Sequence, residues 1–229
     1  MNKQGKDKIG WTDYTLSVVT GCRHGCQYGP RKKCYAHLIA DRIYKEGFEP
    51  TFRPERLNDK DLGRVPDGSK IFLCDMGDLF GYWVPDKWIR AHIDLAYRYP
   101  RYTFQFLTKN PSRYYLWPFP NNCWLGTTWD GLPFTRNNVE LLKKNAKPEN
   151  IRFVSFEPLL APFDGSLEGI DWVIIGELTG RGMVNVEPQE VRWAQDIIGQ
   201  AEEFGIPVFV KNKLGTIFPQ REFPGSFRR

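Results

Sequence analysis

Histidine is scarce in this chain. Only His24, His37 and His92 occur among 229 residues, too few for the His-rich ligand sets on which barrel-type metal hydrolases depend, so that class is excluded. No apolar run is long enough to span a bilayer. The N-terminal stretch "MNKQGKDKIG" lacks the apolar centre of a signal peptide. A cytoplasmic protein with no membrane partner is therefore expected. No internal repeat, low-complexity tract or charge-block linker interrupts the chain, which predicts a single domain over residues 1–229, with a core over about 10–215 and a C-terminal tail over 216–229. Neither sign of charge dominates. The net charge of +5 permits an anionic partner such as nucleic acid without demanding one. Apolar material is ample: 41% hydrophobic and 15% aromatic residues exclude a chain disordered by composition.

Short, nearly continuous apolar runs recur along the sequence: "LSVVTG" (16–21), "KIFLCD" (70–75), "YTFQFLT" (102–108), "CWLGTT" (123–128), "IRFVSFE" (151–157), "DWVIIGE" (171–177) and "IPVFVKN" (206–212). Runs without strict alternation are what parallel strands covered on both faces look like. Between them lie helix patterns. Residues 85–100 open on Pro85 and Asp86 and place Trp88, Ile89, His92, Ile93, Leu95 and Ala96 at helical spacing. Residues 34–47, 134–146 and 187–205 read similarly. Strand–helix alternation predicts an α/β fold with a parallel sheet, either an open doubly wound sheet or an incomplete (β/α) barrel. The C-terminal ends of the strands are polar or glycine-rich: Gly21 and Cys22, Asp75 and Asp78, Thr108 and Lys109, Thr127 and Thr128, Glu157, Gly176 and Glu177, Lys211 and Asn212. In parallel α/β folds function gathers at those ends. Taken singly, each residue is as well read as a cap or a surface group.

Three of the five cysteines fall in "TGCRHGCQYGPRKKCYA", as Cys22, Cys26 and Cys34. In a protein of this kind clustered thiols are metal ligands or redox groups before they are disulfides. Arg31, Lys32 and Lys33, together with a helix beginning at Cys34, predict lowered thiol pKa values. Three readings stand. The thiols are structural; or they bind zinc, completed by His24 or His37, although no second close doublet of ligands exists; or they hold an iron–sulfur cluster. A [4Fe–4S] cluster usually takes four thiolates, and three leave one iron open to a substrate or cofactor. Cys74 and Cys123 lie in or beside strands and read as core thiols, with Cys74 also a candidate radical relay or fourth ligand.

The three-cysteine loop after a first strand resembles that of the radical S-adenosylmethionine (SAM) enzymes. The ordered blocks "GWTDYTLSVVTGCRHGC", "CYAHLIADRI", "FRPERL", "CDMGDLFGYWVP", "FLTKNPSR", "WLGTTWD", "RFVSFEPLLAPF", "DWVIIGELTGRG" and "IPVFVKNKLG" more specifically resemble a phage-associated radical-SAM-like family of unassigned role. The resemblance implies a partial (β/α)6-type barrel, related to the TIM barrel. It implies a [4Fe–4S] cluster ligated by Cys22, Cys26 and Cys34, with Tyr35 beside it. It implies SAM chelated at the open iron and cleaved reductively to a 5′-deoxyadenosyl radical. "CDMGD" occupies the place that holds the SAM amino group, with Asp75, Gly77 and Asp78 as candidates. Thr127, Thr128, Glu157, Gly176 and Glu177 would contribute to the ribose and adenine. An electron donor such as flavodoxin or ferredoxin is the implied partner. Seven residues separate Cys26 from Cys34, a longer spacer than the common motif, as though residues were inserted after Tyr28.

The substrate is less legible. Basic and aromatic residues mingle in "FRPERL" (52–57), "KNPSRYYLWPF" (109–119) and "FPQREFPGSFRR" (218–229). Such mixtures suit single-stranded nucleic acid or nucleotides, and equally suit a core with solvated charges. Lys109 and Lys211 read evenly as holders of an anionic substrate group and as ion-pair partners of Glu157 or Asp75. The competing function is a non-catalytic zinc- or metal-stabilised barrel that binds nucleic acid or a protein partner.

Overall fold

The computed structural model describes residues 1–5, 8–28, 34–178 and 186–225. The chain gathers into two compact units, residues 1–110 with 116–124, and residues 111–115 with 125–229.

In the first unit, β1 (Asn2–Lys3) runs antiparallel to β2 (Tyr14–Leu16). After β3 (Val19–Thr20), α1 (Tyr35–Ile43), β4 (Thr51–Phe52) and the single turn α2 (Asp59–Leu62) comes β5 (Lys70–Leu73), which pairs in parallel with β2. α3 (Asp86–Arg98) then crosses over to β6 (Thr103–Thr108), parallel to β5. Ile71, Phe72 and Leu73 of β5 are buried, as are Phe104, Gln105 and Phe106 of β6, so both faces of each strand are covered. Strands closed on both faces need no polar alternate, and that is why their sequences read as continuous apolar runs. α3 starts where expected, with Pro85 at its N-cap and Asp86 in the first turn, and it buries Ile89, His92, Ile93, Leu95 and Ala96.

The run 16–21, expected as one strand, is split. Leu16 ends the ladder with β5, whereas Val19 and Thr20 pair antiparallel with Phe52 and Thr51 of β4. The break at Ser17 frees its hydroxyl for the Asp75 carboxylate and its carbonyl for Arg56 Nη1, at 2.7 Å. Beyond β3, Gly21 forms a parallel bridge with Gly77. The approach is close: a Cβ on Gly77 would lie 2.8 Å from the Gly21 carbonyl oxygen, and one on Gly21, at φ +83°, would lie 2.2 Å from that of Glu49. Glycine is required at both positions.

β7 (Cys123–Thr128) begins in the first unit and continues into the second. The second unit holds α4 (Asn138–Asn145), β8 (Ile151–Phe156), β9 (Trp172–Ile175), α5 (Pro188–Glu203), β10 (Val208–Val210) and the short α6 (Leu214–Ile217). β8, β9 and β10 are parallel neighbours, and every residue of β9 is fully buried. α5 opens on a reciprocal cap in which the Glu187 N–H donates to the Glu190 carboxylate at 2.8 Å. Both units therefore show the expected α/β class with mostly parallel strands. Among the described residues no helix is long and apolar enough to cross a membrane.

The segment after α6 covers the edge of β10. Val210 N–H donates to the Gln220 carbonyl at 2.9 Å, and Glu222 N–H to the Val208 carbonyl at 2.9 Å. Trp172 Nε1–H reaches the Glu222 carbonyl at 2.9 Å. Arg221 lies over the Phe209 ring at 5.1 Å. Residues 218–225 thus cover an otherwise exposed ladder; residues 226–229 lie outside the described residues.

Candidate functional site

Cys22 follows the Gly21–Gly77 bridge, Cys26 lies one loop further on, and Cys34 is the N-cap of α1. All three are free and half-buried. They are close enough that Cys26 and Cys34 each raise the Cys22 pKa, and Cys26 raises that of Cys34. The expectation of lowered thiol pKa values is overturned at two of the three. Burial pushes the Cys22 thiol up, reinforced by the Asp78 carboxylate. Burial also pushes Cys34 up, against the N–H groups of Ala36 and His37 and the Lys109 ammonium. Desolvation outweighs the helix terminus. Arg31, Lys32 and Lys33, on which the expectation rested, lie outside the described residues. Among the described residues no group of three or more His, Cys, Asp or Glu side chains closes on a single ion.

Asp78 is the centre of the polar set beside the thiols. It is 5% exposed. Its Oδ1 accepts from Thr108 Oγ1 at 2.7 Å and from the Phe80 N–H at 2.9 Å. Its Oδ2 accepts from His24 Nε2 at 2.7 Å and from the Lys109 N–H at 2.9 Å. Burial alone would raise its pKa; the donors from His24, Thr108 and Lys109 win, and the carboxyl titrates below its ordinary value. Asp75 behaves oppositely. Burial raises its pKa, against hydrogen bonds from Ser17 and Thr15. Tyr35, 57% exposed, hydrogen-bonds through its hydroxyl to the Asp75 carbonyl at 2.9 Å, which ties the first turn of α1 to the end of β5. Gly77 serves the backbone approach to Gly21.

The first unit thus brings together Cys22, Cys26, Cys34, Tyr35, Asp75, Gly77, Asp78 and Lys109. Lys109 Nζ is 3.1 Å from the Tyr28 hydroxyl. His37 Nε2 pairs with Asp41 at 3.4 Å, so each histidine flanking the thiols has Nε2 on a carboxylate. Sequence reasoning missed Ser17, His24 and Tyr28 as parts of this network, and Trp83, whose ring meets His24 edge-on at 4.8 Å. The available signal was a histidine and a tyrosine inside and just after the Cys22–Cys26 loop. Among the described residues the buried Trp83 indole N–H, like those of Trp117 and Trp129, meets no acceptor. Three half-buried thiols on one segment, none of them in a disulfide, fit a bound group that takes thiolate ligands. An iron–sulfur cluster is such a group.

In the second unit the strand ends carry their own polar set. Glu157 pairs with Lys211 Nζ, the ion pair that one of the two readings of Lys211 expects. Gly176 leaves room for the Glu157 side chain, since a Cβ there would lie 3.3 Å from the carboxyl carbon. Glu177, 5% exposed, accepts from the N–H groups of Lys213 at 3.0 Å and Leu214 at 3.3 Å at the start of α6. Thr127 and Thr128 are buried. At the opposite, N-terminal ends of β8, β9 and β10 lies a cavity of about 220 Å³ lined by Ile151, Asp171 and Pro207 among others.

The basic and aromatic segments are largely spent internally. Arg53 donates to Thr20 Oγ1 at 3.0 Å, pairs with Glu46 and lies 4.1 Å over the Tyr44 ring. Phe52 stacks on Trp88 at 5.4 Å. Tyr114, Trp117 and Phe119 are buried, while Tyr115 stays 68% exposed.

The fold is similar to that of spore photoproduct lyase. A structure of that enzyme complexed with dinucleoside spore photoproduct matches with a TM-score of 0.57 at 12% identity, over 92% of this chain and 79% of that one. A mutant of the lyase with bound AdoMet and dinucleoside spore photoproduct matches with 0.56 at 11% identity, over 92% and 79%. At this identity the likeness is one of fold. No curated protein matches the sequence at a significant level. A family model covers residues 6–222, and the chain belongs to the family that model describes, Protein of unknown function (DUF5131).

Proposed function

We propose that the chain is a radical SAM enzyme, a single domain built on a partial (β/α)6-type barrel, with Cys22, Cys26 and Cys34 as ligands of a [4Fe–4S] cluster. The observation that carries this reading is the gathering of three mutually interacting thiols at the C-terminal end of a parallel ladder. Its fold likeness to spore photoproduct lyase, a radical SAM enzyme, supports it. The cluster and SAM would supply the reductive bond cleavage. The protein's own residues would position and shield them. Tyr35 orients the turn that bears Cys34. Asp75, with its pKa raised by burial, is the acidic group better placed to receive the SAM amino group, because the four donors on Asp78 leave it no free lone pair. A small acidic electron carrier of the flavodoxin or ferredoxin kind is the proposed reductant.

For the substrate we favour a nucleobase-containing molecule. The dinucleoside bound by spore photoproduct lyase supports that class. The internal use of Arg53, Arg56 and Arg221 favours a nucleotide-sized ligand over a long strand tracked by a basic groove.

The test is anaerobic reconstitution with iron and sulfide, followed by EPR of the dithionite-reduced protein with and without SAM. The expected result is a [4Fe–4S]⁺ signal that shifts when SAM is added and is lost in Cys22→Ala, Cys26→Ala and Cys34→Ala. Stoichiometric zinc with no uptake of iron would overturn it.

A further inference from the structure

Two side chains tie the thiol-bearing segment to the strand ends of the first unit, and neither is a cysteine. His24, midway between Cys22 and Cys26, donates through Nε2 to Asp78 Oδ2 at 2.7 Å. Tyr28, two residues past Cys26, meets Lys109 Nζ at 3.1 Å. Both anchors lead to one spot, because Asp78 Oδ2 also accepts the Lys109 N–H and Asp78 Oδ1 takes the Thr108 hydroxyl at the end of β6. The edge of the His24 ring packs on Trp83 at 4.8 Å, which fixes the plane from which Nε2 reaches Asp78.

The loop held this way would be loose by itself. Gly21 and Gly25 both sit at positive φ, at +83° and +66°, and glycine gives the chain its greatest conformational freedom. Ordering each residue costs backbone entropy. A contact that meets this cost in the metal-free protein leaves more of the ligation free energy for binding. Asp78 suits the role. It is buried, three of its four acceptor positions are filled by donors from the end of β6 and from its own turn, and it is therefore held from two sides before His24 arrives.

We propose that His24 and Asp78 are positioning residues that hold the Cys22–Cys26 loop in its ligand-bearing conformation before any metal binds. The inference rests on the reading of Cys22, Cys26 and Cys34 as a ligand set and adds what organises that set. His24 acts through the loop and touches neither cofactor nor substrate.

The experiment follows the full-length apoprotein by hydrogen exchange over residues 20–28, then measures iron retained under chelator challenge after reconstitution. It compares wild type with His24→Ala, with His24→Gln, whose amide can donate to the same oxygen, and with Arg23→Ala, which removes the exposed pair with Glu49. His24→Ala is expected to speed exchange in that segment at least tenfold with the urea midpoint little changed, and to weaken iron retention by about 10–100-fold, the range typical of lost supporting contacts around a metal site. His24→Gln is expected to restore most of both, and Arg23→Ala to match wild type. Unchanged exchange and unchanged retention in His24→Ala would overturn the proposal while leaving the cluster reading intact. Wild-type protein that takes up no iron would overturn the ligand reading, and exchange alone would then decide the clamp. Should His24→Ala fail to fold, His24→Phe, which keeps a ring against Trp83 and removes the donor to Asp78, gives the same two readouts.

Discussion

The Cys74 thiol lies 3.4 Å from Nε2 of His92 in the interior of the first unit. His92 Nδ1–H donates to the Trp88 carbonyl at 2.7 Å, so Nε2 is the acceptor and the thiol donates to it. Burial pushes the Cys74 pKa up to about 12 and the His92 pKa down to about 4. Both groups are neutral in the folded protein, and Cys74 serves as a core thiol. Its backbone, at φ 63°, turns the chain at the end of β5 toward Asp75.

Neutral His92 makes stability depend on pH. Its folded pKa lies below the unfolded value near 6.5, so its contribution is complete above that pH and is lost as pH falls from about 6.5 toward 4. At pH 5 the loss is about 2 kcal/mol. Urea unfolding at pH 7.5 and pH 5.0 should show wild type losing about that much more than His92→Gln between the two conditions. Equal losses would mean that His92 does not carry the dependence.

Gly21→Ala should be among the most damaging single changes available. It combines a left-handed backbone with a Cβ placed 2.2 Å from the Glu49 carbonyl oxygen, a backbone atom that cannot swing aside. We expect a cost of about 2–4 kcal/mol by urea unfolding. Reconstituted iron should fall in parallel, because Cys22 is the next residue.

In the second unit, Lys211→Met should leave the Glu157 carboxylate without its partner in a largely covered site, the two side chains being 11% and 27% exposed. The expected loss is about 1–2 kcal/mol, below that of a fully buried pair because solvent still reaches the carboxylate. The double variant Lys211→Met with Glu157→Gln should recover part of it. A double-mutant cycle by urea unfolding with no coupling energy would refute the pairing.

Removing residues 218–229 should open the edge of β10. The hydrogen bonds of Val210, Glu222 and Trp172 to or from this segment would go, a loss of at least about 3 kcal/mol. The shortened protein should unfold at lower temperature and associate as its concentration rises, measured by calorimetry and by light scattering. A monomer with an unchanged midpoint would show the cover to be dispensable.

How much of this was legible in the sequence depends on the range of the interaction. β5 and β9 were readable because both faces of each strand are closed, so every position but Lys70 at the start of β5 is apolar. α3 was readable from Pro85, Asp86 and a helical repeat of buried residues. The split of the first run was not, because two-residue strands such as β3 and β4 carry no period. The cluster of polar strand ends was visible, but the commitments within it were not. Asp78 and Glu177 looked alike as acids at strand ends. One is filled by donors from His24 and Thr108, 54 and 30 residues away, and the other caps α6 from 36 residues away. Arg53 and Arg56 carry charge that sequence assigns to a surface, yet ring contacts and backbone acceptors inside the unit use it.

The contact between Tyr28 and Lys109 spans 81 residues, and that separation orders events during synthesis. The thiols are made early. The residues that anchor their loop, Asp78, Thr108 and Lys109, come roughly 80 residues later at the far end, a delay of about 4–16 s at ordinary translation rates. Until Lys109 has left the ribosome, the cysteines sit on an unanchored tether, open to oxidation and to any thiol-seeking ion. On the proposed cluster reading, metal delivery follows the synthesis of Lys109, and reconstitution in vitro will succeed best when the thiols are kept reduced until the first unit has closed.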